Sequence, residues 1–292
     1  MADKEFKTID EQIDILKSRG LSIPDERLAR QFLMRNNYYR ISGFSLTLRD
    51  HDKFYKNAEF QNIIDIYEFD YHLRHILLKY IEEIEVAFKS AYAYEFTSLY
   101  GPVGYLEAGN FTDEGRYKPV IEKAEQQKSA RLPHEAYLKH FINDLKQSVP
   151  LWAYVDLLTI SDMSILYSIS EEQVKRAVSD DMGIKVGNTA LLGRFMHSMT
   201  IIRNLCAHGS RIYNRLFEQK PSLNKKEKQL LMVDKNGDED NAHLYGFILI
   251  MRRLLTIETF AEMKDEIIQL TQEYPFVDMK HYGFRGDWKN VL

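Results

Sequence analysis

Residues 60–100 read FQNIIDIYEFDYHLRHILLKYIEEIEVAFKSAYAYEFTSLY, a run with neither proline nor glycine. Apolar residues recur at Ile63, Ile64, Tyr67, Tyr71, Leu73, Leu77, Leu78, Ile81, Ile84 and Phe88. That three-and-four spacing lays side chains along one face of an α-helix, and YGPVG (100–104) supplies the stop. The stretch predicts one long helix. Its neighbours follow the same period. DEQIDILKSRG (10–20) and SIPDERLARQFLMRN (22–36) predict two short helices, and YKPVIEKAEQQKS another within a mostly polar 101–133. PHEAYLKHFINDLK (133–146) and PLWAYVDLLTISDMSILYSIS (150–170) predict helices with proline at or near their starts. A helix from Asn188 to Ala207 would stop at Gly209, and 238–274 predicts a long last helical stretch broken near Thr259. Only NYYRISGFSLTLRD (37–50) is β-rich, and it predicts a compact turn or small hairpin. The fold class is therefore all-α, a helical bundle. Its expected parts are an N-terminal extension (1–60), the bundle (61–275) and a C-terminal tail (276–292).

The chain has 292 residues, 45% of them hydrophobic and 28% charged, as expected of a globular protein. A net charge of −4 gives no global case for nucleic acid, so any such binding needs a local patch. One cysteine, Cys206, excludes an internal disulfide and fits a reducing, cytoplasmic setting. The N-terminus MADKEFKTID lacks the apolar core of a secretory signal, and no run is long enough to predict a membrane span.

Against that acidic background, IIRNLCAHGSRIYNRLF (201–217) stands out. Residues 182–217 hold Lys185, Arg194, His197, Arg203, His208, Arg211 and Arg215 with no Asp or Glu, although 43 acids in 292 residues would put about five there. Arg suits phosphate oxygens, and His moves protons near neutral pH. A phosphodiester beside a ribose 2′-OH needs those two services and no metal, so the chemistry would be specific to RNA. Asn204 and His208, four apart, can share a helix face, whereas Arg203 and His208, five apart, diverge by about 140° unless the helix frays at Gly209. The bare spacing proves nothing: seventeen arginines and nine histidines produce such pairs by chance, and both residues also suit a helix C-terminus.

The wider pattern is more specific. IIRNLCAHGSRIYNR resembles the RN-x-x-A-H-x-x-R-x-x-N signature of the Abi-like (AbiD/AbiF) family within the HEPN superfamily, and NNYYRISGF (36–44) resembles that family's N-Y-Y-R-L-S-G-Y element. Weaker blocks are FDYHLRHILLKYIEEIEVAFKSAYAY, YGPVGYLEAGNF and LWAYVDLLTISDMSILYSI, so the similarity runs from about residue 10 to 270. The resemblance implies a HEPN-like helical bundle and a metal-independent endoribonuclease acting in abortive infection or as a regulated toxin. On that reading Arg203 holds the scissile phosphate, His208 transfers protons and Asn204 orients them. Arg211, Tyr213, Asn214 and Arg215 support the site or contact RNA. It also implies a homodimer with a shared site, an RNA substrate, a noncoding-RNA or protein antitoxin, and no cofactor. The same patch would equally serve a non-catalytic module that binds RNA or protein.

Other features weigh less. Tyr39 and Arg40 could stack on a base and grip a phosphate, or Tyr38 and Tyr39 could pack while Arg40 bonds carbonyls. Glu82 and Glu85 could orient an arginine or form a solvated, ion-paired face. His72 and His75 have no further His or Cys cluster for a metal. DKNGDEDN (234–241) misses the glycine position of a calcium loop. Cys206 fits a core thiol better than a nucleophile, and there is no Walker loop or G-x-G-x-x-G.

Overall fold

The computed structural model describes residues 5–184, 188–233 and 237–292. Lys185 of the basic patch, and Asp234 and Asn236 of the calcium-like run, lie outside them. The fold is all-α. In chain order the helices are α1 (Ile9–Ser18), α2 (Glu26–Asn36), α3 (Tyr38–Ser42), α4 (Phe60–Tyr100), α5 (Glu114–Arg131), α6 (Ala136–Lys139) and α7 (Leu151–Tyr154). They continue with α8 (Ile160–Ile169), α9 (Glu172–Asp181), α10 (Thr189–Ala207), α11 (Lys225–Lys228), α12 (Leu244–Leu254), α13 (Ile257–Glu273) and α14 (Trp288–Val291). Among the described residues the sheet is one two-stranded ladder, β1 (Arg49–Asp50) antiparallel to β2 (Lys53–Phe54).

Helix α4 is the spine, about 60 Å long, and α7, α8, α9, α10, α12 and α13 all pack on it. Phe69, Leu73, Leu77, Tyr80, Ile84, Phe88, Tyr92 and Phe96 are fully buried along it, each contributing about 1.5–3 kcal/mol of apolar burial. Helix α10 presents Leu192, Phe195, Met196, Met199, Ile202 and Cys206 to the core, which fixes its rotation and hence the direction of Arg203, Asn204 and His208. Among the described residues, no helix is long and apolar enough to cross a membrane.

Several expected boundaries shift. The 37–50 segment is mostly helical and enters a small hairpin only at its end. Asn37 takes φ 61°, accepts from the Tyr39 N–H, and starts helix α3, while Arg49–Asp50 form the first strand of the two-residue ladder. The run 150–170 splits because Leu158 is extended and Thr159 opens α8 through a capping box with Asp162. In 133–146 only Ala136–Lys139 is α-helical, followed by a π turn over His140–Asp144. The last helical stretch begins at Leu244 rather than at 238, and it breaks near Thr259 as expected, at Thr256, the N-cap of α13. The 276–292 segment folds back onto the bundle, burying Tyr282, Phe284 and Trp288.

Candidate functional site at the end of helix α10

Helix α10 does not fray at its end. His208 is the C-cap, with φ −85° and ψ 7°, and Gly209 follows at φ +64°. The Gly209 N–H donates to Cys206 O at 3.0 Å and the Ser210 N–H to Leu205 O at 2.9 Å, a Schellman closure. The glycine is needed because that φ strains any residue with a Cβ. His208 is thus held at the end of a regular helix, and Asn204 and His208 are both exposed one turn apart.

Arg203 points elsewhere. It is 38% exposed, with Nε 3.9 Å from Glu85 Oε2. Glu85 also pairs with Lys89 at 2.9 Å. Arg203 borders a groove of about 1000 Å³ along α4, whose walls include Glu82, Val86, Tyr94 and Trp152. With α10 regular to Ala207, Arg203 and His208 leave the axis about 140° apart, so one chain does not aim both at the same point.

The turn after His208 is held by residues far away in sequence. Arg40 donates from Nη2 to Gly209 O at 2.6 Å and from Nε to Tyr67 Oη at 3.3 Å, with its guanidinium 5.5 Å from the Tyr67 ring centre. Arg40 therefore ties the NYYR helix to the motif turn through a carbonyl, while Tyr39 stays 84% exposed. Arg211 donates to Tyr213 O and Asn214 O and is half-buried; burial pulls its pKa below the ordinary arginine value. Gly43 makes room for it, since a Cβ there would lie 3.1 Å from Arg211 Nε. Arg215 donates to Arg211 O and lies over the Phe217 ring. Asn214 adopts φ 49° and donates its N–H to His281 O. Tyr213 is buried, with its hydroxyl 2.6 Å from Thr47 Oγ1; burial pushes its pKa up to about 12.

Sequence reasoning missed the anchor of this turn. Asp70 of α4 is fully buried and accepts from the N–H groups of Tyr213 (2.7 Å) and Ile212 (3.2 Å) and from the Tyr282 hydroxyl (3.1 Å). It also pairs with the buried Arg74 one turn on. Burial raises the Asp70 pKa, and Arg74 and the three donors oppose that rise. The available signal was an Asp and an Arg four apart among the apolar positions of α4.

The remaining candidates separate. Arg194 is exposed and bonded to Ser222 Oγ at 3.0 Å, and Cys206 is a core thiol whose pKa burial pushes up to about 12. His72 and His75 border a shallow cleft with Lys79 and Glu266. The basic run is therefore not one surface: Arg211, Arg215 and Arg40 serve backbone carbonyls, and Arg203, Asn204 and His208 remain accessible.

The family model for Abi-like proteins matches residues 31–214, from within α2 through the turn that Asp70 anchors, which is more than half of the chain. The chain belongs to the Abi-like family. Membership suggests abortive infection, a form of phage defence, as its setting. No curated protein and no solved structure matches the chain. The two interlocked elements, Arg40 with Gly209 and Gly43 with Arg211, both fall inside the matched span of this Abi-like chain.

Proposed function

We propose that this Abi-like protein is a HEPN-type endoribonuclease that needs no metal and acts in phage defence or as a regulated toxin. The observation that carries the reading is the end of α10. An exposed His208 with Asn204 one turn before it sits on a turn locked by a Schellman closure, by Arg40 and by Asp70. Such pre-organisation serves a proton-transfer group that must be aimed. In the proposed reaction the 2′-oxygen of a ribose attacks the neighbouring phosphorus and the P–O5′ bond breaks. His208 takes the 2′-OH proton or returns one to the departing 5′-oxygen, and Arg203 neutralises the phosphorane oxygens. The products are a 2′,3′-cyclic phosphate and a 5′-OH end. Because Arg203 and His208 diverge within one chain, the reading includes a homodimer in which a second copy completes the site. An antitoxin, RNA or protein, would restrain it.

A second reading, a non-catalytic helical module for RNA or protein, is favoured by the position of Arg203 beside Glu85 in a groove with exposed Trp152 and Tyr94. Digestion of total RNA in EDTA by wild type and His208→Ala, with end-group analysis, decides between them. Cyclic-phosphate ends from wild type alone support the enzyme. Equal cutting by both proteins removes His208 from the chemistry. RNA binding without cutting by either returns the binding module.

A further inference from the structure

Helix α10 carries one polar stripe on the side that holds its exposed Asn204 and His208. Gly193, His197, Thr200, Asn204 and His208 follow at steps of four, three, four and four, which stay within one face. The upper part of the stripe forms a wall of a small cavity, about 200 Å³, between α5, α8 and α10. Arg116 from α5 and Ser161, Ser164 and Ser168 from α8 line the other sides, with His197 opposite. Among the described residues no carboxylate lines this cavity. The nearest acid in the α8 sequence, Asp162, is buried and taken up by Lys123 at 2.8 Å and by the Thr159 cap.

The contrast with the larger groove along α4 is one of sign. That groove sets Glu82, Glu85 and Asp156 against Lys89 and Arg203, so its cations stand among carboxylates. The small cavity offers the Arg116 fork, the His197 imidazole and the hydroxyls of Ser161 and Ser164 as donors to an anion, while Ser168 and Thr200 donate to the carbonyls of Ile165 and Met196. His197 lies eleven residues from His208 on the same stripe, about 16 Å along the axis, a distance that an extended strand covers in a few nucleotides.

We propose that this cavity binds a backbone phosphate of the RNA substrate, a few nucleotides from the bond cut at His208, with Arg116 and His197 as its contacts. The assignment rests on the RNA-cleaving reading and extends it into a track along α10. It makes recognition depend on strand length, because a substrate too short to reach Arg116 loses that contact.

The test uses the His208→Ala protein as an uncleaving background and measures its affinity for a single-stranded RNA of about twenty nucleotides over a salt series. Arg116→Ala is expected to weaken binding about three- to fivefold and to lower the slope of log affinity against log salt by about 0.7, one phosphate contact on a single strand. Adding His197→Ala weakens it further. Lys118→Ala, on the same helix but paired with Glu114 at 2.8 Å and outside the cavity, is expected to change neither quantity. In the active protein, Arg116→Ala should slow cleavage of the long RNA and leave cleavage of a dinucleotide unchanged. Unchanged affinity in Arg116→Ala, or an equal loss in Lys118→Ala, overturns the phosphate site, while the His208 digest judges the nuclease reading independently. Inorganic phosphate provides the other arm. If it binds wild type in an Arg116-dependent way while Arg116→Ala leaves RNA affinity intact, the cavity serves a free anion and the RNA assignment is overturned.

Discussion

Replacing Asp70 by alanine removes one carboxylate and strands four donors. The N–H groups of Ile212 and Tyr213 and the Tyr282 hydroxyl lose their acceptor, and Arg74 keeps its charge at 3% side-chain exposure. Breaking a buried ion pair from one side costs about 3–5 kcal/mol, and each buried donor left unmade costs about 1–3 kcal/mol when it cannot reach water. These losses overlap because one relaxation serves them all, so about 5 kcal/mol is expected in total. That is a large share of a global stability of about 5–15 kcal/mol, and at about 2–4 °C per kcal/mol for a chain of this size it shifts Tm by about 10–20 °C. Asp70→Asn keeps one oxygen for the Tyr213 N–H and should cost about half as much. The decisive arm is Arg74→Met in the Asp70→Ala background. It removes the orphan charge and should recover about 1–3 kcal/mol. Urea unfolding followed by circular dichroism measures all three. A loss under about 1 kcal/mol for Asp70→Ala, or further destabilisation on adding Arg74→Met, would refute the reasoning.

Three further outcomes follow from the site. Arg40→Ala strands the Gly209 carbonyl, and a cost of about 1–3 kcal/mol with reduced RNA cleavage is expected in a chain that still folds by circular dichroism; full cleavage would detach Arg40 from the aim of His208. Gly209→Ala forces a Cβ into φ +64° and should cost about 1–2 kcal/mol, with Gly209→Asn costing less, both read from urea midpoints. Burial pushes Cys206 and Tyr213 up to about 12 from 9.0 and 10.0. The unfolded chain therefore sheds these protons first as pH rises above 9, and each group lowers stability by up to about 1.4 kcal/mol per pH unit until its folded pKa is reached. Urea midpoints at pH 8, 10 and 11 should fall in that order, and a flat series would contradict the burial.

How much the sequence revealed depended on whether local patterns or distant partners decided the outcome. Helix α4 was legible over its whole length, because an uninterrupted apolar period bounded by YGPVG needs no tertiary context. The end of α10 was legible from Gly209, whose positive φ the Schellman turn requires. The NYYRISGF segment was not. Tyrosine and isoleucine favour strands in isolation, yet the Asn37 side chain caps a new helix, and Arg40 and Gly43 are fixed by partners that lie 169 positions away in Gly209 and on Arg211. Leu158 broke a helix that the apolar pattern carried through, because Thr159 found a capping partner that periodicity does not register. At the site, the accessible set of Arg203, Asn204 and His208 matches the residues singled out from sequence. Of the two roles open to Arg211 and Arg215 from sequence, supporting the site or contacting RNA, their bonds to the carbonyls of the turn fit the first.

The acid-free segment acquires a physical meaning from this arrangement. A carboxylate inside 201–217 would pair locally with Arg203, Arg211 or His208 and close the site upon itself. The acids that the turn does need come from α4, fifteen residues apart, about 22 Å along that helix. Asp70 gathers the backbone donors after the motif, and Glu85 stands beside Arg203 without closing to hydrogen-bond distance. Rigid α4 keeps these two negative charges at fixed depth, one buried and saturated, the other at the groove edge. The donors and the positive charge left over at the surface are then those of α10: Arg203 on one side, and on the other the line from His197 through Asn204 to His208. An acidic protein can in this way present a local face for an anion without changing its overall charge. Moving one carboxylate from α4 into the turn would abolish that face while leaving the composition identical.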